Sequence, residues 1–371
     1  MSDSTFLKRV EIRNFKSIAH CDVRLGPLNF LVGPNGSGKT NFVDALRFVR
    51  DCMTSNFDEA LSRQRGTSNR VIRAGADSMN FRLDFSRSGV SGVYEFQIGL
   101  GTALGARARV ERCRLSDGAY FEIQSGVLFG SSETILSAIP TDRLFLTSVS
   151  GLVPFRQVYR ALESMKFYVP DPIIAPLAGS GSGDVLDPDG ENFAKVFDGL
   201  DDIAKKNVEE CLRIVAPGLE SLRVVDVQGA KILLFRHADA ELFATSMSDG
   251  TIRALMLLVA VAQQHVKDGQ IPLACFEEPE TGIHPGALGI LLDAFMEASQ
   301  TTQVIVTSHS PDLLDHKDIP AESLLAVVMD GETRIGPLPK GFRDGIRRRL
   351  FTPGGLLRST QIEPETTAQA S

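Results

Sequence analysis

Four short stretches hold residues whose types and spacing suit phosphate chemistry. Gly33-Pro34-Asn35-Gly36-Ser37-Gly38-Lys39-Thr40 follows G-x-x-x-x-G-K-[ST], with Asn41 next in line. Glycines at that spacing let backbone N–H groups turn inward around phosphate oxygens, and a helix starting near Lys39 adds its positive dipole end. Lys39 would reach the β- and γ-phosphates, and the Thr40 hydroxyl would hold Mg²⁺. In ACFEEPETGIHP, Glu277 and Glu278 close an apolar run. A phosphate cradle needs an acidic position on a neighbouring strand to hold Mg²⁺ through water, which is the expected role of Glu277. Most such strands end in Asp, so Glu277 stands one methylene further out. Glu278 is then placed to polarise the attacking water. An acidic pair without a cradle nearby would read as a solvated loop tip.

Two further stretches complete the set. QVIVTSHSPDLL is a β-branched run ending at Ser308-His309-Ser310, so His309 is expected at a strand tip, within reach of a γ-phosphate. In TSMSDGTIRALMLLVAVA, Ser248 is a suitable N-cap for a helix through an apolar stretch. Ser248, Asp249 and Gly250 would then expose N–H groups to phosphate, with Gly250 allowing close approach.

These side chains require strand ends and helix starts in register. LNFLVGPNGSGKTNFVDALRFV reads as buried strand, glycine turn and helix. Residues 7–14 and 21–25 alternate as strands. From 79 to 129, strand-like segments are separated by Gly, Ser and Asp, which predicts an antiparallel meander. Residues 132–165 and 191–215 are expected to be largely helical. LRVVDV and KILLFRH form a hairpin around Gln-Gly-Ala. Helix and strand then alternate: helix 249–266, strand 272–277, helix 286–299, strand 303–307 and strand 324–329. The expected division is a split core of 1–80 and 245–340, an inserted β-meander and helical lobe over 81–244, and a basic, then polar, tail over 341–371.

Composition narrows the rest. The chain has 371 residues, 43% of them apolar, and a net charge of −7. That excludes a wholly basic nucleic-acid binder. Its five cysteines show no ligand spacing, which argues against a zinc site or a disulfide framework. No apolar run is long enough for a membrane span, and the start lacks the order of a signal peptide, so the expected location is cytoplasmic.

GPNGSGKT, MSDGT, CFEEPE and TSHS occur in that order. The order resembles the ABC-type ATPases of the SMC/RecF group, and most of all the short RecF-like ATPases labelled AAA-type ATP-binding proteins. VEIRNFKSI resembles the first strand and turn of RecF and SMC heads. SDGT followed by Arg resembles their signature, and ETGIHP their D-loop. The resemblance implies an α/β fold: a P-loop NTPase of the ABC-type head class with a mainly parallel core sheet, an antiparallel β subdomain and a helical insertion. It also implies ATP and Mg²⁺ as cofactors, and a homodimer formed on ATP. In that dimer Ser248–Gly250 of one chain would meet Gly33–Thr40 and Glu277–Glu278 of the other. Gln97, Gln124 and Gln157 are three candidates for the Q-loop, and Arg70 or Arg73 for an additional arginine on the phosphates.

Two partners remain open from the sequence. One is DNA, in repair or chromosome maintenance, met by Lys340, Arg343 and Arg347–Arg349. That basic run reads equally as a solvated or salt-bridged helix face. The other is a separately encoded effector in a defence or toxin system, which this chain would gate by ATP hydrolysis.

Overall fold

The computed structural model describes residues 5–64, 71–101, 105–134, 139–173, 183–237, 240–263, 271–316 and 318–365. Strands β1 (Leu7–Phe15), β2 (Ile18–Arg24) and β3 (Leu28–Val32) lead into helix α1 (Lys39–Thr54) and the short α2 (Phe57–Ser62). The meander follows as β4 (Ser78–Arg87), β5 (Val90–Gly101), β6 (Gly105–Leu115), β7 (Tyr120–Gln124) and β8 (Val127–Ser131). Next come α3 (Val153–Glu163), β9 (Lys166–Tyr168), α4 (Phe193–Gly199) and α5 (Asp202–Val215). The hairpin is β10 (Leu219–Val227) and β11 (Ala230–His237), extended by β12 (Ala240–Phe243). The remainder is α6 (Asp249–Ala262), β13 (Leu273–Glu277), α7 (Leu288–Ala298), β14 (Gln303–Ser308), α8 (Pro311–Leu314), β15 (Leu324–Asp330), β16 (Glu332–Pro337), α9 (Lys340–Arg347) and α10 (Pro353–Arg358).

The strands form three sheets. A seven-stranded antiparallel sheet runs β2-β1-β4-β5-β6-β7-β8, and a three-stranded one runs β10-β11-β12. The six-stranded sheet runs β16-β15-β3-β14-β13-β9 and is parallel except for the antiparallel edge strand β16. This mainly parallel sheet with an antiparallel partner is the expected α/β class.

The parallel sheet is covered on both faces, which is why its strands are continuously apolar. Strand alternation divides its side chains between two cores. Leu31, Leu273, Cys275 and Ile305 face α1 and the antiparallel sheet. Phe30, Val32, Ala274, Phe276, Val304 and Val306 face α6 and α7. Phe48 of α1 stacks on Phe81 at 5.7 Å, and Phe81 on Phe96 at 4.9 Å, fastening the helix to the meander.

Several expectations need correction. The described part of 132–165 is helical only over α3, with a single 3-10 turn at Phe145–Thr147. The reason is a competing acceptor: the buried Glu111 carboxylate takes the N–H groups of Phe145 (2.5 Å) and Leu146 (2.8 Å). β9, β16 and α2 were not anticipated. β9 has three residues, too few for a period to show. Sheet membership also cuts across the expected division. β1 and β2 pair into the antiparallel sheet, and β9, from within 81–244, joins the parallel one. The expected tail contains α9 and α10, and α10 is tied to α8 through Arg358 to Asp312 at 2.8 Å.

Candidate functional site

The cradle follows from the meeting of β3 and α1. Gly38 occupies the cap position with φ 103, a left-handed conformation that glycine adopts without strain. A Cβ there would lie 2.0 Å from Thr333 Oγ1. Thr333 is held in place in turn: its hydroxyl donates to Ser37 O at 3.1 Å and lies 2.6 Å from Ser17 Oγ. Asn41 gives its amide to the same Ser17 Oγ at 2.5 Å, so it ties α1 to the β1–β2 turn. Pro34, Asn35 and Gly36 are exposed at the loop tip, and Gly33 and Ser37 are buried.

Lys39 is buried and folds over its own loop, donating to Gly33 O at 2.9 Å and Pro34 O at 3.0 Å. Burial pushes its ammonium below the ordinary value, and the Glu278 and Glu280 carboxylates pull it back up. Ser37 Oγ is buried without a hydrogen-bond partner, as is one oxygen of Glu280. These features fit an anion carrying its own cation. Among the described residues, no group of three His, Cys, Asp or Glu could hold a metal alone. Mg²⁺ borne by a nucleotide needs only one or two protein ligands, the number that Thr40 and Glu277 would supply.

At the end of β13, Glu277 is buried and ion-paired to Arg47 of α1. Glu278 leaves the strand with φ 44, a conformation unusual for a side chain with Cβ, and its N–H donates to Thr307 O at 3.0 Å. Its half-exposed carboxylate lies 3.3 Å from His309 Nδ1. Glu280, not singled out in the sequence, anchors the histidine. Glu280 Oε1 accepts from Ser308 Oγ at 2.7 Å and from His309 N at 3.1 Å. Lys39, Glu278 and His309 therefore gather at one end of the parallel sheet. Glu280 stands in the same EEPE run, and only the fold reveals that it faces β14. Arg47 lies eight positions after Lys39 on α1; its partner is 230 residues away in sequence.

The predicted signature lies elsewhere in the chain's bonding. Ser248 caps α6, accepting from Thr251 N at 3.2 Å, and both Ser248 and Asp249 are exposed. Gly250 packs on the turn after Glu280: a Cβ there would lie 2.2 Å from Gly282 O. The close approach at Gly250 is thus to this chain's own backbone. Among the described residues, no hydrogen bond or ion pair links Ser248–Gly250 to Gly33–Asn41.

The remaining candidates are engaged or distant. Arg73 donates to Ser17 O at 2.8 Å and lies 3.5 Å from Glu332; Arg70 lies outside the described residues. Gln97 donates to Ser78 and Gln124 to Glu122, both at the antiparallel sheet, and Gln157 is exposed on α3. In the basic run, Arg343 pairs with Glu365, and Arg347 with Glu322 and Asp344. Lys340, Arg348 and Arg349 are exposed.

Comparison with known proteins agrees with the fold. Residues 6–82 match the family described as "RecF/RecN/SMC N terminal domain", and residues 169–315 match "AAA domain, putative AbiEii toxin, Type IV TA system". These two partial matches support an SMC/RecF-like ATPase of the AAA/ABC type. The chain overlays on a Smc head solved with the C-terminal winged-helix domain of ScpA, at TM-score 0.53 and 18% identity, covering 91% of this chain and 99% of that one. A Smc head from Pyrococcus furiosus with an extended coiled coil gives TM-score 0.50 at 15% identity, covering 93% of this chain and 99% of that one. At these identities the likeness speaks for the fold. The DNA replication and repair protein RecF of Allorhizobium ampelinum is 30% identical over 117 residues, 31% of this chain and 28% of the relative. The OLD nuclease of Thermus scotoductus is 46% identical over 43 residues, 12% of this chain and 8% of the relative. The chain thus matches less than a third of the length of these curated relatives. No helix among the described residues is long and apolar enough to cross a membrane.

Proposed function

We propose that this ATPase head binds MgATP in the Gly33–Asn41 cradle, closes on a second copy of itself, and reopens when the nucleotide is hydrolysed. Lys39 and the inward N–H groups bind the phosphates. Thr40 and Glu277 hold Mg²⁺, which when bound offsets phosphate charge. Glu278 takes the proton of the attacking water, and His309 senses the γ-phosphate. Ser248, Asp249 and Gly250 serve the nucleotide of the opposite copy, giving a two-fold arrangement with each site completed in trans.

The observation that carries this reading is a mismatch within one chain. Lys39, Glu278, Glu280 and His309 converge, whereas the exposed Ser248 and Asp249 make no bond to that cluster. Sedimentation of Glu278→Gln with and without ATP tests it. The variant should accumulate an ATP-bound dimer and lose roughly 10²-fold or more in hydrolysis, as removal of a general base does. Adding Ser248→Arg should abolish the dimer and spare monomer binding. Full turnover in Ser248→Arg would refute completion in trans.

For the output of the cycle we favour DNA maintenance, in line with the RecF matches and the exposed Lys340, Arg348 and Arg349. A second reading, gating of a separate effector in a defence system, is favoured by the AbiEii-type match over 169–315 and by the pairing of Arg343 and Arg347 within the chain. Binding of duplex DNA that weakens steeply with salt supports the first, and negligible affinity at low salt supports the second.

A further inference from the structure

Beneath the site runs a row of charged side chains of which the nucleotide reading uses only Glu277. Arg47 donates through Nη2 to Glu277 Oε1 and through Nη1 to Asp44 Oδ1. Its guanidinium lies 5.3 Å from the ring centroid of Phe167, a β9 residue in register with Cys275 of β13. Asp44 also accepts from Lys16 Nζ, at 2.7 Å. Lys16, Asp44, Arg47 and Glu277 therefore alternate in sign from the β1–β2 turn to the end of β13. Their side chains are only 11%, 2%, 15% and 6% exposed. Charges this sheltered persist only with close partners, and loss of one strands the next.

We propose that Arg47 is the positioning residue of the magnesium side of the site. It aims the Glu277 carboxylate, and Asp44 and Lys16 hold Arg47 in turn. The inference rests on the reading of Glu277 given above. Its physical basis is side-chain freedom. Glu277 has one more rotatable bond than the Asp usual at such a strand end, so its carboxylate needs an external fix. A planar guanidinium, forked between two carboxylates and laid on an aromatic face, supplies one in a way an ammonium cannot.

Positioning and simple charge predict opposite signs, which makes the idea testable. By charge alone, deleting a cation beside Glu277 tightens binding of a divalent metal. By positioning, the deletion weakens it. Mn²⁺ binding in the presence of a non-hydrolysable ATP analogue can be read from loss of the free-ion EPR signal. Arg47→Met should raise the Mn²⁺ Kd by about 10- to 100-fold, the usual cost of losing an outer-shell partner. Arg47→Lys, which keeps the charge and loses the fork, should weaken binding less, and Lys16→Met less again. Analogue binding in excess EDTA should stay at the wild-type level in all three. Unchanged or tighter Mn²⁺ binding in Arg47→Met overturns the assignment; if that variant does not fold, unchanged binding in Arg47→Lys does so. Glu277→Gln separates the two levels. Weakened Mn²⁺ binding there with wild-type behaviour in the Arg47 variants removes Arg47 alone, and no weakening there overturns the proposed metal site together with Arg47.

Discussion

Two buried glutamates, one on the antiparallel sheet and one in the turn that follows β13, are treated in opposite ways. Glu111 on β6 is saturated: it accepts from Tyr94 Oη at 2.9 Å and from two backbone N–H groups, within a packed core. Glu280 is also buried, yet one of its oxygens has no hydrogen-bond partner, and neither has the neighbouring His309 Nδ1. The surrounding regions repeat the contrast. Across the antiparallel sheet, Arg82 pairs with Glu95 and Arg112 with Glu122, so that face neutralises itself. At the end of the parallel sheet, carboxylates crowd together, Glu278 sits in a left-handed conformation, and Lys39 leans on backbone carbonyls. A structural charge finds its partners inside the chain. In the proposed reading, the charges left short at this sheet end are the ones a ligand would satisfy.

The contrast can be broken by experiment. The largest expected effect is at Glu280. Glu280→Ala frees the His309 backbone and should lower turnover by about 10²-fold, the cost of a misplacement near 1 Å, with little change in melting temperature. A loss of stability with normal turnover would assign Glu280 to the framework. Next is Glu111→Gln, which turns an amide group toward N–H donors. It should cost about 1–3 kcal/mol in urea unfolding while nucleotide affinity holds.

The same residue governs a pH effect. Burial pushes the Glu111 carboxyl up to about 7 from an ordinary 4.5. The folded state then binds the extra proton between those values. This contribution to stability is full below pH 4.5 and is lost as pH rises toward 7, by at most about 1.4 kcal/mol per pH unit. Glu111→Gln should flatten that slope, and a slope unchanged in the variant would exclude Glu111 as its source. The smallest effect is expected at Arg82→Ala, on the self-neutralised face, where a partly exposed pair is worth under about 1 kcal/mol. A larger loss there would mean that face does more than satisfy itself.

Much of the fold was legible because it obeys short-range rules. The P-loop needs contiguous residues, the meander needs period-two alternation, and Ser248 needs only its own helix to act as a cap. The stretch 132–165 was misread because helical propensity there is overridden by Glu111, a partner more than thirty residues upstream. β9 was missed because three residues carry no period, and its place beside β13 is decided by the sheet.

The sequence alone determined the class of chemistry, since the cradle, the acidic strand end and the histidine tip each lie within a few consecutive residues. Only tertiary structure decided which charges meet: that Glu277 falls to Arg47, that Glu280 turns to β14, and that Gly250 rests on Gly282. The physical reason is reach. Local spacing sets what a backbone segment can present, but ion pairs and close backbone contacts act across a few ångströms of space. Chain separation alone cannot say which distant segments will share that space.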